Sequence, residues 1–127
     1  MDGVIRLDTH VVVWLYTGET EQLSDPASAA IEDHQLTVSP MVQLELNFLH
    51  EIGRLTIGGA DIIADLERRV GLRRSDVPLD ALVDTAAALT WTRDPFGRLI
   101  VADALVCGAS LLTKDRAIHD HTTIARW

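Results

Sequence analysis

Short apolar runs alternate along this chain with longer segments in which apolar residues recur every three or four positions. Runs of about four residues bounded by polar residues or glycine are typical of buried strands, and the longer spacing is typical of helices. The short runs predict strands at 4–7, 36–39, 72–77 and 109–112. The longer segments predict helices at 9–16, from 25 onward, and at 40–52, 59–70, 78–89 and 95–107.

Three of these helices share one start signal, a residue that can cap a helix followed by proline. The three pairs are Asp25-Pro26, Ser39-Pro40 and Asp94-Pro95. Strands separated by helices imply a parallel sheet with helices on both faces. We therefore predict a three-layer α/β fold with a short central parallel sheet, and a single domain spanning residues 1–127.

Composition narrows the class of protein. The 127 residues are 47% hydrophobic, which suits one globular domain. The one cysteine, Cys107, excludes an internal disulfide and a cysteine-rich zinc site, and is expected in the core.

The sequence has no apolar run near the roughly 20 residues of a membrane helix, and its first residues do not resemble a secretory signal. We expect a cytoplasmic protein that does not bind membranes.

The formal net charge of −8 is the wrong sign for attracting a polyanion through the overall field. A nucleic-acid function would therefore need a local basic surface or bound cations. Ten of the eleven basic residues are arginine, which makes forked contacts with phosphate or carboxylate.

Four acids are candidates for chemistry: Asp8, Glu45, Asp94 and Asp115. Asp8 and Asp115 come just past predicted strands, and α/β sheets bind ligands beyond the carboxyl ends of their strands. Clustered carboxylates repel one another, and a divalent cation relieves the repulsion. Mg²⁺ and Mn²⁺ prefer such oxygen ligands and support phosphodiester hydrolysis.

Glu45 is the most informative of the four because its neighbours on the predicted helix are apolar. An ionised carboxylate buried there is unfavourable unless it is paired or binds a cation. The alternative is a solvent-facing strip or a pair with an arginine, and the spacing does not choose between the two.

Four motifs resemble those of PIN domains. The first two are Leu7-Asp8-Thr9-His10, and Val38-Ser39-Pro40 leading to Leu44-Glu45-Leu46 and Gly53-Arg54-Leu55. The last two are Arg93-Asp94-Pro95-Phe96-Gly97-Arg98-Leu99-Ile100 and Leu111-Leu112-Thr113-Lys114-Asp115. Their order and spacing, and the chain length, are similar to those of the VapC toxins, small PIN-domain ribonucleases of type II toxin–antitoxin pairs.

The resemblance implies an endoribonuclease that depends on Mg²⁺ or Mn²⁺, hydrolyses RNA phosphodiester bonds, is often a homodimer and is neutralised by a VapB-type antitoxin. It implies that Asp8 and Glu45 are metal ligands. Asp115 would be the fourth acid, binding metal directly or through water, with Thr113 supporting the site.

The third motif departs from the family pattern, because Gly97 stands where an aspartate is usual. Asp94, one helical turn earlier, is the candidate substitute, although Asp before Pro is also a ready-made helix cap. Asp103 is a poor substitute, since it points about 120° away from position 97 around the helix.

Arg98 and Arg116 are the candidate RNA-binding residues because they adjoin acidic motifs. The denser basic segment at 68–74 is expected to be a solvated helix end. The segment His119-Asp120-His121 is expected to be a polar loop rather than a metal cluster.

Two other functions remain open. One is a PIN fold that has lost catalysis through Gly97 and serves as a binding module. The other is a phosphoacceptor receiver domain, a small α/β fold that also binds Mg²⁺. Against the receiver domain, no pair of acids follows an early strand, and Thr113 and Lys114 are adjacent in sequence.

Overall fold

A computed structural model describes residues 3–127, which form a parallel sheet with strand order β3-β2-β1-β4-β5 and helices around it. The strands are β1 (Val4–Leu7), β2 (Gln35–Val38), β3 (Arg73–Arg74), β4 (Ser110–Leu112) and β5 (Ala125–Arg126). The helices are α1 (Thr9–Thr17), α2 (Asp25–Asp33), α3 (Pro40–Glu51), α4 (Gly59–Val70), α5 (Leu79–Ala86), α6 (Pro95–Cys107) and α7 (Arg116–His121). A short 3₁₀ helix covers Thr20–Gln22. The predicted three-layer α/β fold is confirmed.

Strand β1 lies at the centre of the sheet and pairs in parallel with β2 and β4. Ile5 is aligned with Leu36 on one side and with Ser110 on the other. A central parallel strand is covered on both faces, which explains its almost continuous apolar sequence. Because all the strands are parallel, their carboxyl ends meet along one edge of the sheet.

The main core forms where helices pack onto the two faces of the sheet. Its fully buried side chains include Leu7, Val42, Leu46, Leu66, Ile100 and Leu111. Helix α4 turns Ile62, Ile63 and Leu66 inward, in agreement with its predicted apolar side. Helices α3 and α4 approach closely at Gly59, where an added Cβ would lie 2.2 Å from the carbonyl oxygen of Gln43. Only glycine fits at that contact.

One ion pair is buried inside this core. Arg6 Nε of β1 lies 2.7 Å from Asp103 Oδ1 of α6, and Asp103 is fully buried. The same guanidinium donates to Thr37 Oγ1 at 2.7 Å and to Cys107 Sγ at 2.9 Å. Asp103 Oδ2 has no hydrogen-bond partner among the described residues. The pair ties the central strand to the helix that packs on it.

Several local predictions were wrong. The predicted strand at 72–77 is reduced to two residues, and Ser24, rather than Asp25, caps α2 by accepting a hydrogen bond from Ala27 N at 3.1 Å. The expected polar loop at 119–121 is the end of α7. Cys107 is exposed, because it falls on the last turn of α6.

Strand β5 and helix α7 had not been predicted, and both are short. Among residues 3–127, none of the helices combines the length and apolar character needed to cross a membrane.

Candidate functional site

All four predicted acids line one open cavity of about 330 Å³ at the carboxyl edge of the sheet. Asp8 follows β1, Glu45 projects from the middle of α3, and Asp94 and Asp115 precede α6 and α7. The remaining lining residues are Thr9, His10, Val13, Trp14, Leu49, Arg54, Leu55, Gly97 and Ile118. The fold therefore brings together acids that lie far apart in sequence.

Asp8 is held in place through both of its carboxylate oxygens. It caps α1 by accepting a hydrogen bond from Thr9 N to Oδ1 at 2.8 Å. Its Oδ2 accepts a hydrogen bond from Thr113 Oγ1 at 2.7 Å. Only 9% of Asp8 is exposed, so its orientation is set by the protein rather than by solvent.

Thr113 and Asp115 follow β4 and form the neighbouring wall. The Thr113 hydroxyl is fully buried and accepts a hydrogen bond from Asp115 N at 3.0 Å. Asp115 caps α7 through Oδ1, which accepts from Ala117 N at 2.8 Å. Asp115 Oδ2 makes no hydrogen bond within residues 3–127, and this oxygen is available to a ligand.

Glu45 lies in the cavity, half-buried, with Oε1 accepting a hydrogen bond from the Thr9 hydroxyl. Burial raises the pKa of Glu45, the charges of Asp8 and Asp94 raise it further, and the Thr9 hydrogen bond opposes the shift. Within the described part of the chain, Glu45 has no ion pair with an arginine. Of the two alternatives for Glu45, the structure favours a partly buried position that faces other acids.

Asp94 caps α6 with both oxygens. Oδ1 accepts from Phe96 N and Oδ2 accepts from Gly97 N, each at 3.1 Å. The predicted cap is therefore present, and a metal-binding role for Asp94 stays a prediction. Gly97 lies on the cavity wall, where an added Cβ would come within 3.1 Å of Asp94 Oδ2.

His10 closes another side of the cavity. Its Nε2 accepts a hydrogen bond from Lys114 N at 2.9 Å, so its proton is on Nδ1, 3.8 Å from Asp8 Oδ2. Burial lowers the pKa of His10 against the opposing effect of Asp8 and Asp115. The ring packs edge-on against Trp14 and Trp127. His10 therefore turns Nδ1 toward an acid of the site, at a distance too long for a hydrogen bond.

The two arginines predicted to bind RNA lie outside the cavity lining. Arg98 donates hydrogen bonds to the carbonyl oxygens of Ala86 and Ala87, at 3.2 Å each, and so ties α6 to the end of α5. Arg116 is exposed at the start of α7. The arginine that does line the cavity is Arg54, which sequence reasoning did not select. Its signal in the sequence was its place in the second PIN-like motif, directly after Gly53.

The donor set suits a hard divalent cation. Among residues 3–127, no group of three or more His, Cys, Asp or Glu side chains is arranged to hold an ion directly. Mg²⁺ generally binds one or two carboxylates and keeps several waters, so it does not need such a group. Burial and the charges of two neighbouring carboxylates raise the pKa of Glu45, and a bound cation would relieve that repulsion.

Comparisons with known proteins identify the family of this chain. Residues 5–123 match the PIN domain. Over 123 residues the chain is 33% identical to Ribonuclease VapC22 of Mycobacterium tuberculosis, covering 92% of this chain and 91% of that protein.

Solved structures share the fold at low sequence identity. VapBC2 from Rickettsia felis, bound to a DNA fragment from its promoter, matches with a TM-score of 0.70 and 14% identity over 97% of both chains. A toxin–antitoxin complex from Klebsiella pneumoniae matches with a TM-score of 0.63 and 11% identity, over 97% of this chain and 96% of that one. VapBC-1 from nontypeable Haemophilus influenzae matches with a TM-score of 0.54 and 18% identity, over 92% and 93% of the two chains.

The family match extends through every element from β1 to α7, and it excludes the alternative of a receiver domain. The 33% identity over nearly the full length of a VapC ribonuclease narrows the assignment within the family. The chain belongs to the PIN-domain family, in its VapC branch.

Proposed function

We propose that this protein is an endoribonuclease toxin that depends on Mg²⁺ or Mn²⁺ and hydrolyses RNA phosphodiester bonds. The observation that carries the proposal is the convergence of Asp8, Glu45, Asp94 and Asp115 on one cavity. The identity to a ribonuclease of the VapC branch supports the same reaction.

Asp8 and Glu45 would hold the cation, with Asp115 binding it directly or through water and Asp94 in a supporting position. When bound, Mg²⁺ or Mn²⁺ stabilises charge on the scissile phosphate and lowers the pKa of water for in-line attack on phosphorus.

The protein's own contribution is to orient the acids before substrate arrives. The Thr113 hydroxyl fixes Asp8, and the Thr9 hydroxyl holds Glu45 toward the same space. Four apolar side chains, Val13, Leu49, Leu55 and Ile118, line part of the cavity and lower the polarity beside the acids. In such a site charge interactions are stronger than in bulk water.

We also propose that the protein works in the cytoplasm as a homodimer neutralised by a VapB-type antitoxin. The VapBC structures that share the fold support a partner of this kind. An exposed apolar strip supports protein contacts; it runs along α3 to its C-cap, with Leu44, Phe48 and Ile52 at intervals of four residues. Leu44→Asp should then shift the mass measured by light scattering toward the monomer or weaken antitoxin binding, whereas an unchanged dimer and antitoxin complex would exclude this face.

The decisive experiment is RNA cleavage by purified, antitoxin-free protein with Mn²⁺ or with EDTA. Cleavage should require the metal and should be lost in Glu45→Gln, which keeps the size of the side chain and removes its charge. If neither the wild type nor Gly97→Asp cuts RNA with Mn²⁺, the nuclease proposal is wrong.

A binding module without catalysis is the second candidate. It is favoured by Gly97 and by the engagement of both Asp94 oxygens as a helix cap. Under this alternative the wild type does not cut RNA, and Gly97→Asp gains activity while antitoxin binding stays the same.

A further inference from the structure

We propose that Arg54 is the residue that binds an RNA phosphate at the mouth of the acid cavity. This inference rests on the proposed ribonuclease function and identifies how a polyanion can approach the site. Among the cavity-lining residues that the structure describes, Arg54 is the one arginine or lysine, and four others are acids.

The position of Arg54 is fixed by its backbone. Gly53 adopts a left-handed conformation with φ +81°, which ends α3 and turns the chain back along it. Arg54 N and Leu55 N then donate to the carbonyl oxygen of Leu49 at 2.8 Å and 3.2 Å. His50 Nδ1 lies 3.0 Å from the carbonyl oxygen of Leu55 and holds the far side of the turn. The turn thus presents Arg54 to the cavity from an ordered base.

The guanidinium of Arg54 has no hydrogen bond or ion pair within residues 3–127, and Arg54 is exposed. Three other arginines are engaged: Arg6 pairs with Asp103, Arg69 pairs with Asp65, and Arg98 donates to backbone carbonyls. All five N–H donors of the Arg54 guanidinium are therefore available to a ligand.

The negative charge of the cavity and of the whole chain explains why RNA would need a basic residue at this position. RNA must approach four carboxylates on a chain of net charge −8, and the overall field opposes this. A guanidinium makes two parallel hydrogen bonds to phosphate oxygens, which fixes orientation as well as supplying charge. Arg54 is therefore a positioning residue for RNA beside the acids.

Arg54 has an alternative, structural role, in which its charge reduces repulsion among the acids and makes no contact with RNA.

A measurement of RNA binding separates the two roles. We would measure fluorescence anisotropy of a labelled single-stranded RNA oligonucleotide with Mg²⁺, using Glu45→Gln protein so that the RNA stays intact. Arg54→Gln and Arg54→Lys would be added to this protein, with Arg73→Gln as the matched control. Arg73 is an exposed arginine of β3 that lies outside the cavity lining, and its replacement removes the same charge.

We expect Arg54→Gln to weaken RNA binding by roughly tenfold and to reduce the slope of log affinity against log salt by about 0.7, the change for one lost phosphate contact on a single strand. Arg54→Lys should keep the salt slope but recover only part of the affinity, because it keeps the charge and loses the fork. Arg73→Gln should stay within about twofold of its parent.

In proteins that retain Glu45, Arg54→Gln should raise KM for RNA more than it lowers kcat. If Arg54 only reduced repulsion among the acids, Arg54→Gln would not change the salt slope of RNA binding. If Arg54→Gln matches Arg73→Gln in affinity and slope, or if no RNA binds, the inference is overturned. Failure of both the wild type and Gly97→Asp to cut RNA with Mn²⁺ would instead overturn the proposed function, because the binding assay does not require cleavage.

Discussion

Thr113 donates a hydrogen bond to Asp8 Oδ2 at 2.7 Å across 105 residues of sequence. The bond joins the carboxyl ends of β1 and β4, which are neighbours in the sheet. The same hydroxyl accepts from Asp115 N, so one buried side chain orients two acids of the site.

Thr113→Val should therefore damage both the fold and the site. Valine has nearly the same shape, but it leaves Asp8 Oδ2 and Asp115 N without their buried partner. We expect a loss of about 1–3 kcal/mol in the free energy of unfolding, measured with urea, and slower RNA cleavage. Thr113→Ser is the control and should keep most of both. Equal stability of the valine variant and the wild type would contradict this account of the hydroxyl.

Thr9→Val should raise the pKa of Glu45 further, because the hydrogen bond from Thr9 is the effect that opposes the shift caused by burial. The pKa of the Glu45 carboxyl can be followed by ¹³C NMR in metal-free protein. Thr9→Ser should leave it near the wild-type value. A pKa that does not change in the valine variant would show that the hydroxyl does not stabilise the ionised carboxylate.

The raised pKa of Glu45 also predicts how the free energy of unfolding changes with pH. A carboxyl whose pKa is higher in the folded state than in the unfolded chain favours folding when protonated. This contribution is fully present below the ordinary value of 4.5 and is lost as pH rises through the folded pKa.

Glutamine imitates the protonated form at every pH. Metal-free Glu45→Gln should thus gain stability relative to wild type as pH rises above 4.5, in urea unfolding at a series of pH values. A difference that stays constant with pH would contradict the shift. Adding Mn²⁺ should stabilise the wild type selectively, since a ligand that binds the folded state shifts unfolding by mass action.

Gly97→Asp should increase Mn²⁺-dependent RNA cleavage if the missing acid limits the wild type. The new Cβ would lie 3.1 Å from Asp94 Oδ2, so the Asp94 carboxylate must shift by a few tenths of an ångström. Gly97→Ala introduces the same Cβ without the carboxylate, and it should leave cleavage unchanged or lower. If the alanine variant gains as much as the aspartate variant, the effect comes from the helix rather than from the acid.

Asp103→Ala should destabilise the protein strongly because it leaves the Arg6 guanidinium buried without its partner. We expect a loss of about 3–5 kcal/mol in urea unfolding. The double variant Arg6→Met with Asp103→Leu removes both charges and should recover much of that loss. If the double variant is no more stable than Asp103→Ala, the unpaired charge is not the cause.

Hydrophobic spacing predicted the regular elements well where they are long. Helix α4 was predicted at 59–70 and is observed at those bounds, since its apolar positions recur on one face. Helix α7 and strand β5 were missed, because six polar-rich residues and two edge residues carry too little periodicity to be recognised. Their formation depends on packing and on pairing with β4.

The site was predictable to the extent that it follows from topology. Acids after β1 and β4 must meet at one edge of a parallel sheet, which identified Asp8 and Asp115. The surroundings of Glu45 could not be predicted from spacing, since they depend on how α1 brings Thr9 to α3. Arg54 was missed for a related reason: its access to the cavity depends on a turn that reverses the chain after α3.

Both outer strands of the sheet have only two residues, and arginine occupies three of the four positions: Arg73, Arg74 and Arg126. Edge strands this short and charged offer little main chain with which a strand of another molecule could pair. Amyloid-like stacking through these edge strands is therefore disfavoured. We therefore expect partners to contact side chains on the helices and loops of this protein instead of adding a strand to its sheet.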